Sequence, residues 1–319
     1  MDRNLALEVV RVTEAAALAS ALYMGRGDEA AADQAAIEAM YKLFPDVECS
    51  GHVMIGEADA DSDSLFHVGE AVGAGRGPDI EVALDALEGA IACATGAPNA
   101  ISVIAIAEHG GFLRCPPHLY MEKIAVGPVG RSVVDLDRPL TENLDVLARA
   151  KGVQVKNLTI VLLDRPRHGT LVAELRRLGV RIKLIGDGDL SAALTTAREE
   201  SGIDMLVGSG GALQGIIAAA ALRCLGGEIQ ARFRPRNQEE VHQLRQMGIE
   251  DLQKKYTAEE MAWGNVLFAA TGVTGGDYLK GVRFFHGGAM TSSVVMRSKT
   301  RTVRFMETFH HFEKGGPEY

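Results

Sequence analysis

A chain of 319 residues carrying 42 acidic against 33 basic side chains, with formal net charge −9 and pI near 5.5, is not built for nucleic acid, and an anionic substrate would need local cations. The length accommodates two domains or one large α/β unit with a sizeable core. No uninterrupted apolar run approaches the roughly 18 residues of a membrane-spanning helix. The polar start Met1-Asp2-Arg3-Asn4 lacks signal-peptide character, so a cytoplasmic protein with no membrane partner is expected.

Leu5, Val9, Val12, Ala16, Ala19 and Tyr23 recur at three- and four-residue steps and predict an amphipathic helix ending near Gly25. A second helix is expected after Asp28, burying Ala36, Met40 and Leu43. Strand-like runs follow at 52–55, 80–84 and 102–107. From about Leu158 the rhythm becomes strand, turn, helix: 158–163 then 171–178, 180–185 then 190–198, 205–207 then about 213–225. That alternation predicts βαβ units and a parallel sheet. Residues 235–256 read as a charged surface helix, and 282–285 and 302–305 as late strands. The expected fold is α/β, in halves 1–150 and 151–319 with no long linker.

Chemistry concentrates first in carboxylates. Asp85 and Glu88 stand three apart in Asp85-Ala86-Leu87-Glu88-Gly89, where a strand is expected to turn out of a sheet. The turn would bring Glu88 beside Asp85, and Gly89 would let the backbone approach an anion. Glu57 ends the run Met54-Ile55-Gly56, and Asp33 lies in the acidic, alanine-rich stretch 27–33. Four converging carboxylates repel one another unless protonated or neutralised, and hard oxygen ligands suit magnesium or manganese. The plain alternative is a set of solvated surface carboxylates.

In the second half, Arg165 and Arg167 flank Pro166, which stiffens the turn and lets two guanidiniums offer forked donors to phosphate. Ligands to parallel sheets bind beyond the carboxyl ends of the strands. Those ends carry Arg165-Pro166-Arg167-His168, Gly186-Asp187-Gly188-Asp189 and Gly208-Ser209-Gly210-Gly211, so one substrate cleft is expected. Leu213 occupies the third glycine position of a dinucleotide fingerprint, which argues against a nicotinamide cofactor. Cys49, Cys93, Cys115 and Cys224 form no Cys-x-x-Cys pair and read as reduced, mostly buried thiols. The pair His310-His311 reads as incidental rather than as metal ligands.

These motifs, in this order, resemble the class II fructose-1,6-bisphosphatases of the GlpX type, within the lithium-sensitive metal-dependent phosphatases whose signature is Asp-Pro-aliphatic-Glu/Asp-Gly-Thr. The resemblance runs almost end to end and includes Gly25-Arg26-Gly27-Asp28, Ala31-Ala32-Asp33, Ile55-Gly56-Glu57, 85–89, Tyr120-Met121-Glu122-Lys123, 165–168, 186–189 and Gly281-Val282-Arg283-Phe284-Phe285-His286-Gly287-Gly288. It implies a layered sugar-phosphatase fold of alternating helix and sheet layers, with Mg2+ or Mn2+ held by Asp33, Glu57, Asp85, Glu88 and the position of Gln214. It also implies sugar-bisphosphate contacts from Glu88, Gly89, Ala90, Tyr120, Arg165, Pro166, Arg167, Asp187, Gly188, Asp189 and Gly211. The implied reaction is hydrolysis of the 1-phosphate of fructose 1,6-bisphosphate, in gluconeogenic or Calvin-cycle carbon metabolism, by a homo-oligomer. The segment 281–288 looks most like the cyanobacterial-type enzymes, which also take sedoheptulose 1,7-bisphosphate.

The chain departs from the family at informative places. Ala90 stands where the family has the threonine that, paired with the acid falling on Asp61, positions the attacking water. Ala86 replaces the signature proline and is expected to relax the turn between Asp85 and Glu88. Gln214 replaces a glutamate ligand, keeping an amide oxygen but no charge, and Glu29 stands where relatives often carry a lysine. Two other readings therefore stay open: a catalytically impaired paralogue that binds sugar phosphate or metal in a regulatory role, and an inositol monophosphatase-like enzyme.

Overall fold

The computed structural model describes residues 5–58, 64–116 and 118–312. Helix α1 (Leu5–Ala21) buries the expected Leu5, Val9, Val12 and Ala16. Helix α2 (Glu29–Leu43) starts on Asp28, whose carboxylate accepts the Ala31 N–H at 3.0 Å, as an N-cap should. It packs on α1 and buries Ala32, Ala36 and Met40. Strands β1 (Ser50–Ile55), β2 (Ala71–Val72) and β3 (Asp79–Glu88), the short helix α3 (Ala90–Thr95) and strand β4 (Ile101–Ala107) follow. Strand β3 is buried on both faces; even Glu81 is enclosed, its carboxylate accepting the Gly110 and Phe112 N–H groups at 2.9 and 3.1 Å.

Strand β5 (Tyr120–Val126) opens a second sheet, followed by α4 (Leu140–Lys151), β6 (Thr159–Leu163), α5 (Gly169–Leu178), β7 (Arg181–Ile185), α6 (Asp189–Thr195), β8 (Met205–Gly211), α7 (Ala212–Leu225), β9 (Glu228–Phe233), α8 (Gln238–Gln246) and α9 (Ala258–Met261). The order is β7-β6-β8-β5-β9. The βαβ expectation holds for β6, β7 and β8, where β6 runs parallel to both neighbours; β5 pairs antiparallel with β8 and β9, making the sheet mixed. The surface helix expected through 256 stops at Gln246, just ahead of Gly248 at φ +81.

The chain then returns to the first sheet through β10 (Val266–Gly272), β11 (Arg283–Phe285), β12 (Gly288–Arg297) and β13 (Thr302–His311), giving the order β11-β12-β10-β4-β3-β1-β2 with β13 on β12. Two compact units result: Met1–Phe112 with Gly264–Tyr319, and Leu113–Trp263. A cut at residue 150 would fall inside α4. In the first unit α1 and α2 cover the sheet with Val9, Val12, Ala16 and Met40 against Ile104, Ile106 and Leu267. In the second, Leu144, Leu147 and Leu175 from α4 and α5 meet Ile160 and Leu162.

None of the four cysteines is joined in a disulfide; burial pushes the thiols of Cys115 and Cys224 up to about 12, which leaves little thiolate at neutral pH. His310 and His311 are neighbours on β13, so they point to opposite faces, and His310 meets Thr291 Oγ1 at 2.9 Å. Among the described residues no helix is long and apolar enough to cross a membrane.

Candidate active site

The segment 85–88 is not a turn. It is the end of β3, where Asp85 faces Val103 and Glu88 faces Ile101 across the ladder, so β3 spends one residue more than β4. That is a β-bulge. In a regular strand, positions three apart lie on opposite faces; the extra residue puts Asp85 and Glu88 on the face shared by Val103 and Ile101. Glu88 is buried and Asp85 half-buried.

Glu57 follows β1, where a Cβ on Gly56 would fall 2.1 Å from the Phe66 carbonyl oxygen; this close approach lets the Glu57 N–H donate to that oxygen at 3.1 Å. The Glu57 carboxylate accepts the Ala86 N–H at 2.6 Å. A proline at this position would have no N–H to give, so the departure from the family signature supplies a bond instead of loosening a turn. Burial, then the charges of Asp85 and Asp33, hold Glu57 well above the usual carboxylate range, and burial raises Asp33 on α2 as well. Glu57 therefore feels both Asp85 and Asp33. Among the described residues, however, no group of three or more His, Cys, Asp or Glu side chains is drawn close enough to coordinate an ion. The donor chemistry, hard anionic oxygens in partly buried surroundings, fits magnesium or manganese. Gly89, at φ +89, turns the chain from β3 into α3, with Ala90 presenting a methyl group at the first helical position. Asp61 lies outside the described residues.

The second unit gathers a different set. Tyr120 opens β5, and the guanidiniums of Arg167 and Arg236 sit over its ring at 5.0 and 4.8 Å. Arg167 also donates from Nη2 and Nε to the Ser209 carbonyl, at 2.8 and 3.2 Å, and from Nε to Ser209 Oγ at 3.1 Å. Arg165 donates from Nη1 to the Asp164 carbonyl at 3.1 Å. His168 Nε2 accepts the Ser209 N–H at 2.9 Å and Nδ1 lies 2.8 Å from the Leu163 carbonyl, which fixes the tautomer protonated at Nδ1.

Strand β8, expected over 205–207, runs on through Gly208 to Gly211, which pair with Lys123 to Tyr120. Their missing side chains leave room for others. A Cβ on Gly210 would fall 2.2 Å from the Asp189 carboxylate, and one on Gly211 would fall 1.9 Å from the Gln214 amide oxygen. Gly188, at φ +83, delivers Asp189 to the start of α6, while Asp187 precedes it in the connecting loop. Asp189 is buried and ion-paired to Lys123 Nζ at 2.5 Å, and Lys123 also donates to the Gly211 carbonyl at 2.9 Å. Sequence reasoning passed over Lys123, Ser209 and Arg236. Lys123 was the most accessible of these, as a cation alternating with apolar residues inside a strand.

The family model for "Bacterial fructose-1,6-bisphosphatase, glpX-encoded" matches residues 3–310. A protein of Synechococcus sp. (strain JA-3-3Ab) named D-fructose 1,6-bisphosphatase class 2/sedoheptulose 1,7-bisphosphatase is 42% identical over 335 aligned residues, covering 97% of this chain and 96% of its own length. A protein of the same name from Synechococcus elongatus (strain ATCC 33912 / PCC 7942 / FACHB-805) is 40% identical over 338 residues, covering 98% of both chains. With the match spanning both units and every motif described above, the chain belongs to the GlpX-type bacterial fructose-1,6-bisphosphatase family.

Proposed function

We propose that this chain is a metal-dependent phosphoric monoester hydrolase that removes the 1-phosphate of fructose 1,6-bisphosphate, with sedoheptulose 1,7-bisphosphate as a second substrate. The observation that carries the reading is similarity at 40–42% identity over 97–98% of the chain to proteins named for both activities. The acidic group around Glu57 supports it. Asp33, Glu57, Asp85 and Glu88 would hold magnesium or manganese, which when bound clamps a phosphate, stabilises a leaving alkoxide and acidifies water. The chain prepares Glu57 for this: burial and the charge of Asp85 make its isolated anion costly, and the Ala86 N–H fixes its orientation.

In the second unit, Tyr120 and Ser209 hold the Arg167 guanidinium plane, leaving Nη1 as a donor for phosphate. Lys123 holds Asp189 in place, where its carboxylate can accept sugar hydroxyls. Release of inorganic phosphate from fructose 1,6-bisphosphate, sedoheptulose 1,7-bisphosphate, fructose 6-phosphate and inositol monophosphate, each with and without manganese, tests the proposal. Manganese-dependent release from the two bisphosphates is expected. Preferential release from inositol monophosphate would overturn it.

Ala90 favours a second reading, since no hydroxyl stands at the start of α3, and Gln214 brings no charge. Loss of a base-positioning group costs about 10² to 10⁴ in rate. A paralogue impaired in this way would bind manganese and bisphosphate yet release no phosphate, and the same panel, run beside a binding measurement, separates the two.

A further inference from the structure

A cleft of about 420 Å³ opens on one face of the second unit's sheet, beside the Tyr120 and Arg167 group but lacking Tyr120, Arg165, Asp187 and Asp189 from its walls. Its size falls within the roughly 300–1,000 Å³ of small-molecule sites. The floor is apolar: Ile124 and Val207 from β5 and β8, with Leu136, Leu140 and Leu171 from the surrounding loop and the starts of α4 and α5. Leu136, Leu140, Leu171 and Val207 are only partly buried against the core beneath, so the cleft leaves apolar area open to water.

The charges on the walls do not cancel. Among the described residues, Arg138 and Arg167 both line the cleft without an ion pair to any carboxylate; Arg138 donates from Nη1 to the Val133 carbonyl, and Arg167 spends Nε and Nη2 on Ser209. Glu122 also lines it, but is neutralised by Arg232 and Arg234. Glu174 remains as one carboxylate, with Thr170 and Ser209 hydroxyls as further polar groups. In a chain of net charge −9, a half-buried Arg138 and an exposed Arg167, both without carboxylate partners, over an apolar floor make a local site for negative charge.

We propose that this cleft binds a small organic anion, a carboxylate or phosphate ester with a compact apolar body, its charge held by Arg138 and the free Nη1 of Arg167 and its body on Leu136, Leu140 and Leu171. Because Arg167 is the guanidinium assigned above to bisphosphate, the ligand and bisphosphate compete for it; that coupling, though not the cleft itself, rests on the proposed function. Binding free energies are reciprocal, so each ligand weakens the other by the same factor.

The test is fluorescence titration of the full chain with 1-anilinonaphthalene-8-sulfonate, an apolar body bearing one anionic group. Arg138→Leu should weaken a saturable binding component about tenfold, the effect of losing one charge-assisted hydrogen bond. Leu140→Trp, which fills the cleft from the start of α4, should abolish it, with circular dichroism unchanged for both. The same affinity and stoichiometry in parent and both variants would overturn the site. Saturating fructose 1,6-bisphosphate should lower the probe's affinity severalfold in the parent. If both variants behave as expected but bisphosphate has no effect, the role given to Arg167 fails while the cleft stands; if bisphosphate is hydrolysed but neither variant alters probe binding, the cleft fails and the enzyme reading stands.

Discussion

Two groups of carboxylates, one in each unit, are treated in opposite ways. In the second, Asp135 meets Lys255 at 2.5 Å, Asp137 meets Lys255 at 3.1 Å and also Arg232, and Glu122 meets Arg232 at 2.9 Å and also Arg234. Hydrogen bonds from Lys255 and Arg232 hold Asp135 and Asp137 below the usual range. In the first, Asp33 and Glu57 are pushed above it by burial, and for Glu57 by the charges of Asp85 and Asp33 as well. A cluster that carries its own cations is a structural element. One whose acids repel each other in partly buried surroundings needs a cation to become fully ionised, and the proposal that the first unit holds the metal rests on that difference.

The largest effect should follow from breaking the acidic group. Asp85→Asn keeps the volume and the bulge but removes a charge, and should lower manganese-dependent phosphate release by roughly 10³-fold, the equivalent of several kcal/mol of transition-state stabilisation. The isosteric change in the self-neutralised region, Asp137→Asn, should leave turnover within about twofold, as expected of an exposed ion pair worth at most about 1 kcal/mol. Next, Ala90→Thr combined with Gln214→Glu should raise phosphate release by about 10² over the parent, the gain of a restored positioning group, and by more than either single change. A double variant that binds manganese and bisphosphate without any gain would select the impaired-paralogue reading.

Arg167→Ala should weaken fructose 1,6-bisphosphate about tenfold, and fructose 6-phosphate by clearly less, because it removes a charge-assisted contact to one of two phosphates. Equal losses would place Arg167 elsewhere. The smallest effect is in pH. For Glu57 the folded pKa lies above the unfolded one, so the metal-free native state retains a proton that the unfolded chain releases near pH 4.5. Stability from this source is present at low pH and is lost as pH rises through the raised value. Asp135 and Asp137 have the opposite sign, contributing above the ordinary carboxylate range and losing that contribution as pH falls, though their exposure keeps it small. Thermal unfolding in chelator from pH 5 to 8 should therefore show a falling Tm that Glu57→Gln flattens and magnesium offsets.

Much of this was legible in sequence where local periodicity carried it. The register of α1, the start of α2 after Asp28 and the alternation from β6 to α7 were all expected from the sequence pattern. The return of β10 and β12 to the first sheet was not legible, because pairing of 266–272 with 101–107 is decided by contacts far apart in sequence. Strand ends were misplaced at two points: the turn expected at 85–88 is the end of β3 passing through a bulge, and 208–211, expected beyond the strand 205–207, continue it and make room for Asp189 and Gln214. Asp33, Glu57 and Asp85 stood out as candidates in the sequence and took their ligand roles from family resemblance; the burial that raises Asp33 and Glu57 could come only from the folded chain.

We propose that the first unit's carboxylates, and not those of the second, bind the catalytic cation. Calorimetric titration of manganese into the full chain at pH 8 tests it most directly, comparing the parent with Asp85→Asn, Glu57→Gln and Asp137→Asn. The expected result is binding by the parent and Asp137→Asn alike, with loss of at least tenfold in affinity for both Asp85→Asn and Glu57→Gln, each of which removes a ligand charge. Parent-like affinity in Asp85→Asn and Glu57→Gln would contradict the account.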